Sequence, residues 1–303
     1  MCPVCIASAA VMAAGVTSTG GIAALALKIF VRKKGESKMT PTMTQTEHPQ
    51  VVSEAEWLAA RKRLLVTEKE FSRLRDALSA ERRKMPWARV ETDYLFEGPG
   101  GKQTLADLFQ GRSQLVVYHF MFGPGWSEGC PSCSFLADHF DGANNHLPHR
   151  DVTLAVISRA PFDQIEAFKK RMGWRFPWVS SFGTNFNRDY HVSFNPEDRN
   201  EGKVEYNYAR TEFPSDEAPG LSVFYKDQAG QIFHTYSSYA RGLDILLGTY
   251  NFLDFVPKGR DEDGLKFSMA WVRHHDKYDG RPVDPEQTYV QPKANADCCE
   301  GHR

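Results

Sequence analysis

Two uninterrupted apolar runs, QLVVYHFMF at 114–122 and VTLAVIS at 152–158, constrain this chain more than any other feature. A strand with one wet face alternates apolar and polar side chains. A run that is apolar throughout belongs to a strand covered on both faces, the usual condition of parallel sheets. Between the two runs, residues 130–144 read as a helix. Residues 161–172 read as another, opened by a proline that suits the first helical turn. Residues 178–181 are a short strand candidate, and 190–210 an irregular polar insertion. Residues 221–226 and 231–236 flank a turn at 227–230 and predict an antiparallel pair. A helix over 243–255 follows. Upstream, 93–96 with glycines at 98, 100 and 101 predicts a short hairpin, and 104–109 a short helix. The sum is an α/β fold, a mixed sheet flanked by helices.

The first 27 residues carry no charge, and the run 6–27 would reach about 33 Å as a helix, enough to cross a bilayer core. Lys28, Arg32, Lys33 and Lys34 follow it. A cleaved signal peptide carries its positive charge ahead of the apolar stretch, so this pattern reads as a membrane anchor. The basic flank keeps the following domain on the cytoplasmic side. The run is rich in Ala, Gly, Ser and Thr, so a soluble cytoplasmic form is the alternative. Residues 35–50 read as a polar linker. Ser53 and Glu56 form a capping box, and Trp57, Leu64, Phe71 and Leu78 recur every seven residues beside Leu58, Leu65 and Leu74. This predicts a long amphipathic helix ending near Met85–Pro86. Thr67 with Glu70 is a second capping box that could split it. Its apolar stripe suits packing on the domain or a homodimer contact.

Net charge separates function classes. With 37 basic and 38 acidic residues, the chain presents no summed field for nucleic acid. Its six cysteines fall as Cys2/Cys5, Cys130/Cys133 and the adjacent Cys298/Cys299. Scattered cysteines make disulfide frameworks, whereas close pairs make redox or metal sites. Cys130-Pro131-Ser132-Cys133 carries the most information, because it follows a buried strand and the loop GPGWSEG (123–129) and opens a helix. Two cysteines three apart on a first helical turn can close a disulfide. The first faces unpaired backbone N–H groups, which favour thiolate and draw its pKa down from about 8.5. Cys130 is thus the candidate nucleophile and Cys133 the resolving thiol. Half a zinc site is the rival reading, although no second tight ligand pair follows. Ser134 stands where a CxxCH haem motif needs histidine. No organic cofactor is required.

The segments EWLAARKRLL (56–65), MPWARVETDYLF (85–96), SQLVVYHFMFGPGWSEGCPSCSF (113–135), SRAPFDQIEAFKKRMGWRFPWVSS (158–181) and EAPGLSVFYKDQAGQIFHTYSSYARGLD (217–244) carry a family resemblance. From His48 to about Asp279 the chain resembles a bacterial family of unknown function for which a thioredoxin-like fold is expected. FPWVSS and APGLSVFYKD also resemble the peroxiredoxin branch of that fold, but two cysteines in the motif and no Thr-x-x-Cys depart from it. The resemblance implies a thiol–disulfide oxidoreductase. It also implies that Pro219, after Ala218, is a cis proline facing the dithiol, with an ordinary loop proline as the alternative. Ala218 is then a candidate substrate contact; Trp126, in the loop before the motif, is another, with a packed loop tryptophan as the alternative. The organisation that follows is an anchor at 1–34, a linker at 35–52, the helix at 53–86, the thioredoxin-like domain at 87–279 and a flexible tail at 280–303.

The expected partner is a protein or small-molecule thiol or disulfide. Two other functions compete: a thiophilic metal-binding or metal-relay protein using the cysteine pairs, and a thiol-dependent peroxidase. Glu128, two residues before Cys130, is either a proton acceptor or an exposed loop carboxylate. His119 reads as a hydrogen-bonded core histidine. His274, His275 and Asp276 read as a solvated helix end rather than a metal cluster. Tyrosines and Arg210 of the insertion could line a pocket. Cys2, Cys5, Cys298, Cys299 and His302 could bind soft metals or pass electrons to Cys130.

Overall fold

The structure, a computed structural model, describes residues 49–195, 197 and 202–278. The candidate anchor at 6–27 and the terminal cysteines lie outside the described residues. Among the described residues, no helix is long and apolar enough to cross a membrane.

Helix α1 (Glu54–Arg82) forms a body of its own. Its start is the expected capping box: the Ser53 side chain accepts from the Glu56 N–H, and the Glu56 carboxylate accepts from the Ser53 N–H at 3.0 Å. The helix runs unbroken through Thr67, as the single long helix expected, and the second capping box does not split it, because no Gly or Pro interrupts residues 54–82. None of its residues is buried, and the stripe of Trp57, Leu64, Phe71 and Leu78 is exposed.

The second body begins at Lys84 and is built on an eight-stranded sheet. In chain order its strands are β1 (Ala88–Arg89), β2 (Leu95–Gly98), β3 (Gly101–Thr104), β4 (Gln114–His119), β5 (Val152–Ser158), β6 (Trp178–Ser180), β9 (Gly220–Lys226) and β10 (Ile232–Tyr239). Across the sheet the order is β1-β10-β9-β4-β5-β6-β2-β3. Strands β4, β5 and β6 are parallel neighbours, while β9 pairs antiparallel with β4 and then with β10. The other elements are α2 (Pro131–Ala137), α3 (Phe140–Asn144), α4 (Phe162–Arg171), α5 (Phe186–Asp189), a small hairpin of β7 (Val204–Tyr206) and β8 (Ala209–Thr211), and α6 (Gly248–Leu253). This is the expected α/β arrangement, a mixed sheet with helices against it.

The period of two along β4 and β5 explains why both are apolar throughout. Tyr118, Phe120, Leu154 and Val156 join a cluster with Phe135 and Phe140 of α2 and α3 and with Ile165 and Phe168 of α4. Leu115, Val117, Ala155 and Ile157 join a second cluster with Phe96, Phe109 and Phe186. Three layers result, and the central strands are dry on both sides.

Helix 130–144 is broken into α2 and α3 at Asp138 and His139. Both side chains there turn to distant partners: Asp138 accepts from the Trp174 indole N–H at 2.8 Å, and His139 accepts from the Thr249 N–H at 3.1 Å. The C-terminal helix expected at 243–255 is a 3-10 turn (Ala240–Leu246) followed by α6. The insertion is more ordered than its polarity suggests. Val192, Phe194, Val204 and Tyr206 form a small third core with Ala218 and Tyr239. Its tyrosines are packing groups: Tyr206 lies edge-on to Tyr239 and donates to the Pro219 carbonyl at 2.8 Å, while Arg210 is exposed.

Candidate active site

The cysteine loop is seated by three backbone bonds just past β4. The Phe120 N–H continues the sheet by donating to Ile157 O, but Met121 O instead accepts from the Cys130 N–H at 3.0 Å, and Phe122 O from the Ala160 N–H at 2.8 Å. The loop 123–129 is thereby folded back so that Cys130 caps α2. Gly129 permits the turn, because a Cβ there would lie 2.5 Å from the Phe120 ring. Pro131 takes the first helical position, and Ser134 donates to Cys130 O from both its N–H and its hydroxyl, at 2.9 and 3.0 Å.

Cys130 and Cys133 are free thiols buried in one hydrophobic cluster. Both are recessed, at 3% and 2% exposure, while Pro131 and Ser132 are half-buried. Burial is the largest force pushing the Cys133 thiol well above its ordinary range, followed by the bond to Cys130 and the charge there. Bonds from Tyr118 and from the Met121 N–H act in the opposite sense. Cys133 is therefore held protonated.

Trp126 is half-buried against the cluster that holds both cysteines. Ala218 is buried in the small core of the insertion, and Pro219 is half-buried. Among the described residues no peptide bond is cis, so Ala218–Pro219 is trans, contrary to the expectation. The reason lies in the insertion. Phe194 N–H donates to Asp216 O, Ala218 N–H donates to Val192 O, and Ser193 bridges Glu217. Residues 216–218 thus run extended beside 192–194 and pass straight into β9, where Gly220 lies opposite His119.

Sequence reasoning missed Glu217. Its side chain is 1% exposed, accepts from the Ser193 hydroxyl at 2.6 Å and lies 3.0 Å from Arg159 Nε. That Nε–H is not aimed at Oε1, which is otherwise without a hydrogen-bond donor. Burial pushes Glu217 up to about 7, although Arg159 and Ser193 oppose the rise. A Cβ added at Gly123 would meet both the Glu217 side chain and the Trp126 indole nitrogen, so the carboxyl sits under the start of the cysteine loop.

Glu128 is no proton acceptor. Lys277 holds it at 2.7 Å and Arg171 at 2.9 Å, and the Lys277 bond above all draws it down to about 2. His274 is not part of a solvated helix end. It is buried, its Nε2–H donates to Gly129 O at 2.8 Å, and its Nδ1 accepts from Arg171 at 3.0 Å. A carbonyl on one ring nitrogen and a guanidinium on the other fix a neutral imidazole, so the 3.6 Å approach of His274 to Glu128 is not an ion pair. Burial correspondingly lowers the His274 pKa. His275 donates to Asp138 at 2.7 Å, and Trp271 meets the Phe135 ring edge-on at 5.5 Å. The C-terminal segment therefore touches the chain on both sides of the dithiol. His119 is a core histidine as expected, bonded to the Ser222 hydroxyl at 2.8 Å, and burial takes it down to about 3. Among the described residues no three His, Cys, Asp or Glu side chains converge as a metal-ligating group.

Glu128→Gln tests how the C-terminal segment is held. The carboxylate is about a third exposed, so solvent screening limits its contribution to about 1 kcal/mol. A carboxylate pKa drawn down means stability present above pH 4.5 and lost as pH falls towards 2. The variant is expected to be less stable than the parent at pH 7 and to match it near pH 2. Hydrogen exchange at 271–278 should quicken at pH 7; unchanged exchange there would refute the latch.

The family model described as "Bacterial protein of unknown function (DUF899)" matches residues 46–278. The chain belongs to that family. The match takes in the dithiol loop, Glu217 and the C-terminal segment alike, and ends where the described residues end. None of the curated proteins matches the sequence. Among solved structures, a peroxiredoxin Q mutant from Xanthomonas campestris is similar at 14% identity over 55% of this chain and 98% of its own, with a TM-score of 0.37. The peroxidoxin BcpB from Mycobacterium tuberculosis has the same identity, coverage of this chain and TM-score, over 95% of its own length. A PrxQ mutant from Xylella fastidiosa shows 13% identity over 55% of this chain and 97% of its own, with a TM-score of 0.36. Identities and scores that low do not extend to chemistry.

Proposed function

We propose that this protein is a dithiol–disulfide oxidoreductase of thioredoxin-like design, with Cys130 as nucleophile and Cys133 as resolving thiol. The observation that supports it most is the pair itself: two free, recessed thiols, Cys130 at the cap and Cys133 in the first turn of α2, with burial holding Cys133 protonated. The Cys130 thiolate attacks a disulfide R–S–S–R′, forming Cys130–S–S–R and releasing R′S⁻. The charge on Cys130 is then gone, and with it one of the forces that kept Cys133 protonated. Cys133 attacks the Cys130 sulfur, closing the internal disulfide and releasing the second thiol. The client gains two electrons and two protons, and an external dithiol returns the pair to its reduced form. The client is a protein or small-molecule disulfide, and Trp126 and Pro219 border its approach.

The test uses the full chain with Cys2, Cys5, Cys298 and Cys299 changed to Ser. In that background Cys133→Ser should accumulate a stable mixed disulfide with glutathione or a client at Cys130, detected by mass. No adduct at Cys130 under oxidising conditions would refute exchange chemistry.

A further inference from the structure

Helix α1 spans 29 residues, about 43 Å at 1.5 Å per residue, and buries none of them. A helix in water draws most of its stability from packing an apolar face, and a contiguous exposed apolar stripe marks an interaction surface. Trp57, Leu64, Phe71 and Leu78 are 58%, 56%, 64% and 45% exposed, with Leu74 at 68%. A strict repeat of seven suits a helix wound on a second helix. Written as heptads, those four residues take position a, and Ala60, Thr67 and Leu74 take position d. The positions flanking this seam choose the partner. In a parallel pair, a residue at g faces the e residue five places further on in the other helix. Position g carries Glu56, Arg63 and Glu70, and position e carries Arg61, Glu68 and Arg75. A second copy of α1 in register therefore sets Glu56 against Arg61, Arg63 against Glu68 and Glu70 against Arg75, on both sides of the seam. Every one of these contacts joins opposite charges. Sliding one copy by a heptad would set Glu56 against Glu68 and Arg63 against Arg75, so the alternation of sign also fixes the register. Glu56 uses Oε2 in the capping box, which leaves its other oxygen for Arg61 of a second copy. Arg61 and Glu68 lie 2.8 Å apart along one helix, which lines up both charges beside the seam.

We propose that α1 is a dimerisation helix whose partner is α1 of a second copy of this chain, parallel and in register. The inference stands on this helix alone and does not depend on the exchange chemistry. The apolar stripe supplies the attraction between the two helices, and the flanking charges select a second copy over other helices and set its direction.

The experiment uses the full chain in the background lacking the four terminal cysteines. Sedimentation equilibrium at micromolar concentration should show a dimer. Glu70→Lys turns an attractive pair into a repulsive one on each side of the seam, and should raise the dimer dissociation constant by about tenfold at low salt. Adding Arg75→Glu to that variant restores opposite signs and should restore the parent value, which damage to the helix itself would not do. Direction is read by cross-linking. Leu64→Cys places a thiol at position a, where each copy meets the same residue of the other, and mild oxidation should join the two copies through it. Lys69→Cys, on the outer face at position f, should not cross-link. All the substituted side chains are exposed, and cross-linking at 64 reports on pairing independently of charge. A monomeric parent, its stripe then covered by the apolar segment 6–27 or by the chain's own domain, overturns the proposal. So does a dimer that Glu70→Lys leaves unchanged, a dimer that Arg75→Glu fails to rescue, or a dimer that does not cross-link at 64 faster than at 69.

Discussion

Serine at Cys130 is expected to lower turnover of a small aromatic disulfide by at least about a thousandfold, the scale on which loss of a nucleophile is felt. A serine hydroxyl does not ionise near neutral pH, and its oxygen cannot form the internal disulfide that ends the cycle. The fold should survive. The change replaces one buried atom, Cys130 keeps its backbone bonds to Met121 and Ser134, and a hydroxyl at the cap of α2 suits that position. Steady-state turnover with a dithiol donor, beside a thermal midpoint, separates the two effects. Residual turnover above a tenth of the parent, with the fold intact, would remove Cys130 from the mechanism.

The parts of this arrangement that the sequence made legible are those fixed by near neighbours. The apolar run at 152–158 is β5 residue for residue, and the Ser53–Glu56 box starts α1. The dithiol could be placed on a helix start because Pro131 and the preceding strand are local signals. The run at 114–122 was legible as a strand but not in its end. β4 stops at His119 because the Met121 and Phe122 carbonyls are taken by Cys130 and Ala160, a contest that hydropathy does not record. The groups that surround the dithiol come from far along the chain. His274 meets Gly129 across 145 residues, and Lys277 meets Glu128 across 149. Glu217 finds Ser193 and Arg159 only because the insertion folds beside β9. Such pairings have no periodicity, so a buried His274 looked like a solvated one, and Glu217 looked like any loop carboxylate.

Glu217→Gln is expected to reverse a slope. The carboxyl has an ordinary value of 4.5 and is pushed up to about 7 by burial, so between those pH values the folded state binds more protons than the unfolded state. Stability then falls as pH rises through that interval, because the slope follows the protons bound by the unfolded state minus those bound by the native state. At 1.36 kcal/mol per pH unit of displacement, the neutral carboxyl's advantage amounts to about 3 kcal/mol, present below pH 4.5 and spent by pH 7. Glutamine keeps the size, can accept from Ser193 and has no proton to lose, so it removes this descending term. Arg159 remains, part-exposed at 17%, and its uncompensated charge sets a constant cost that does not vary over the interval. The measurable quantity is therefore the difference in urea-unfolding free energy between parent and variant across pH 4 to 8. That difference should shift in favour of the variant by about 3 kcal/mol as pH rises. A difference that stays flat would mean that the Arg159 pair holds Glu217 ionised throughout, and the carboxyl beneath the cysteine loop would then be a fixed charge rather than a group that exchanges a proton near neutrality.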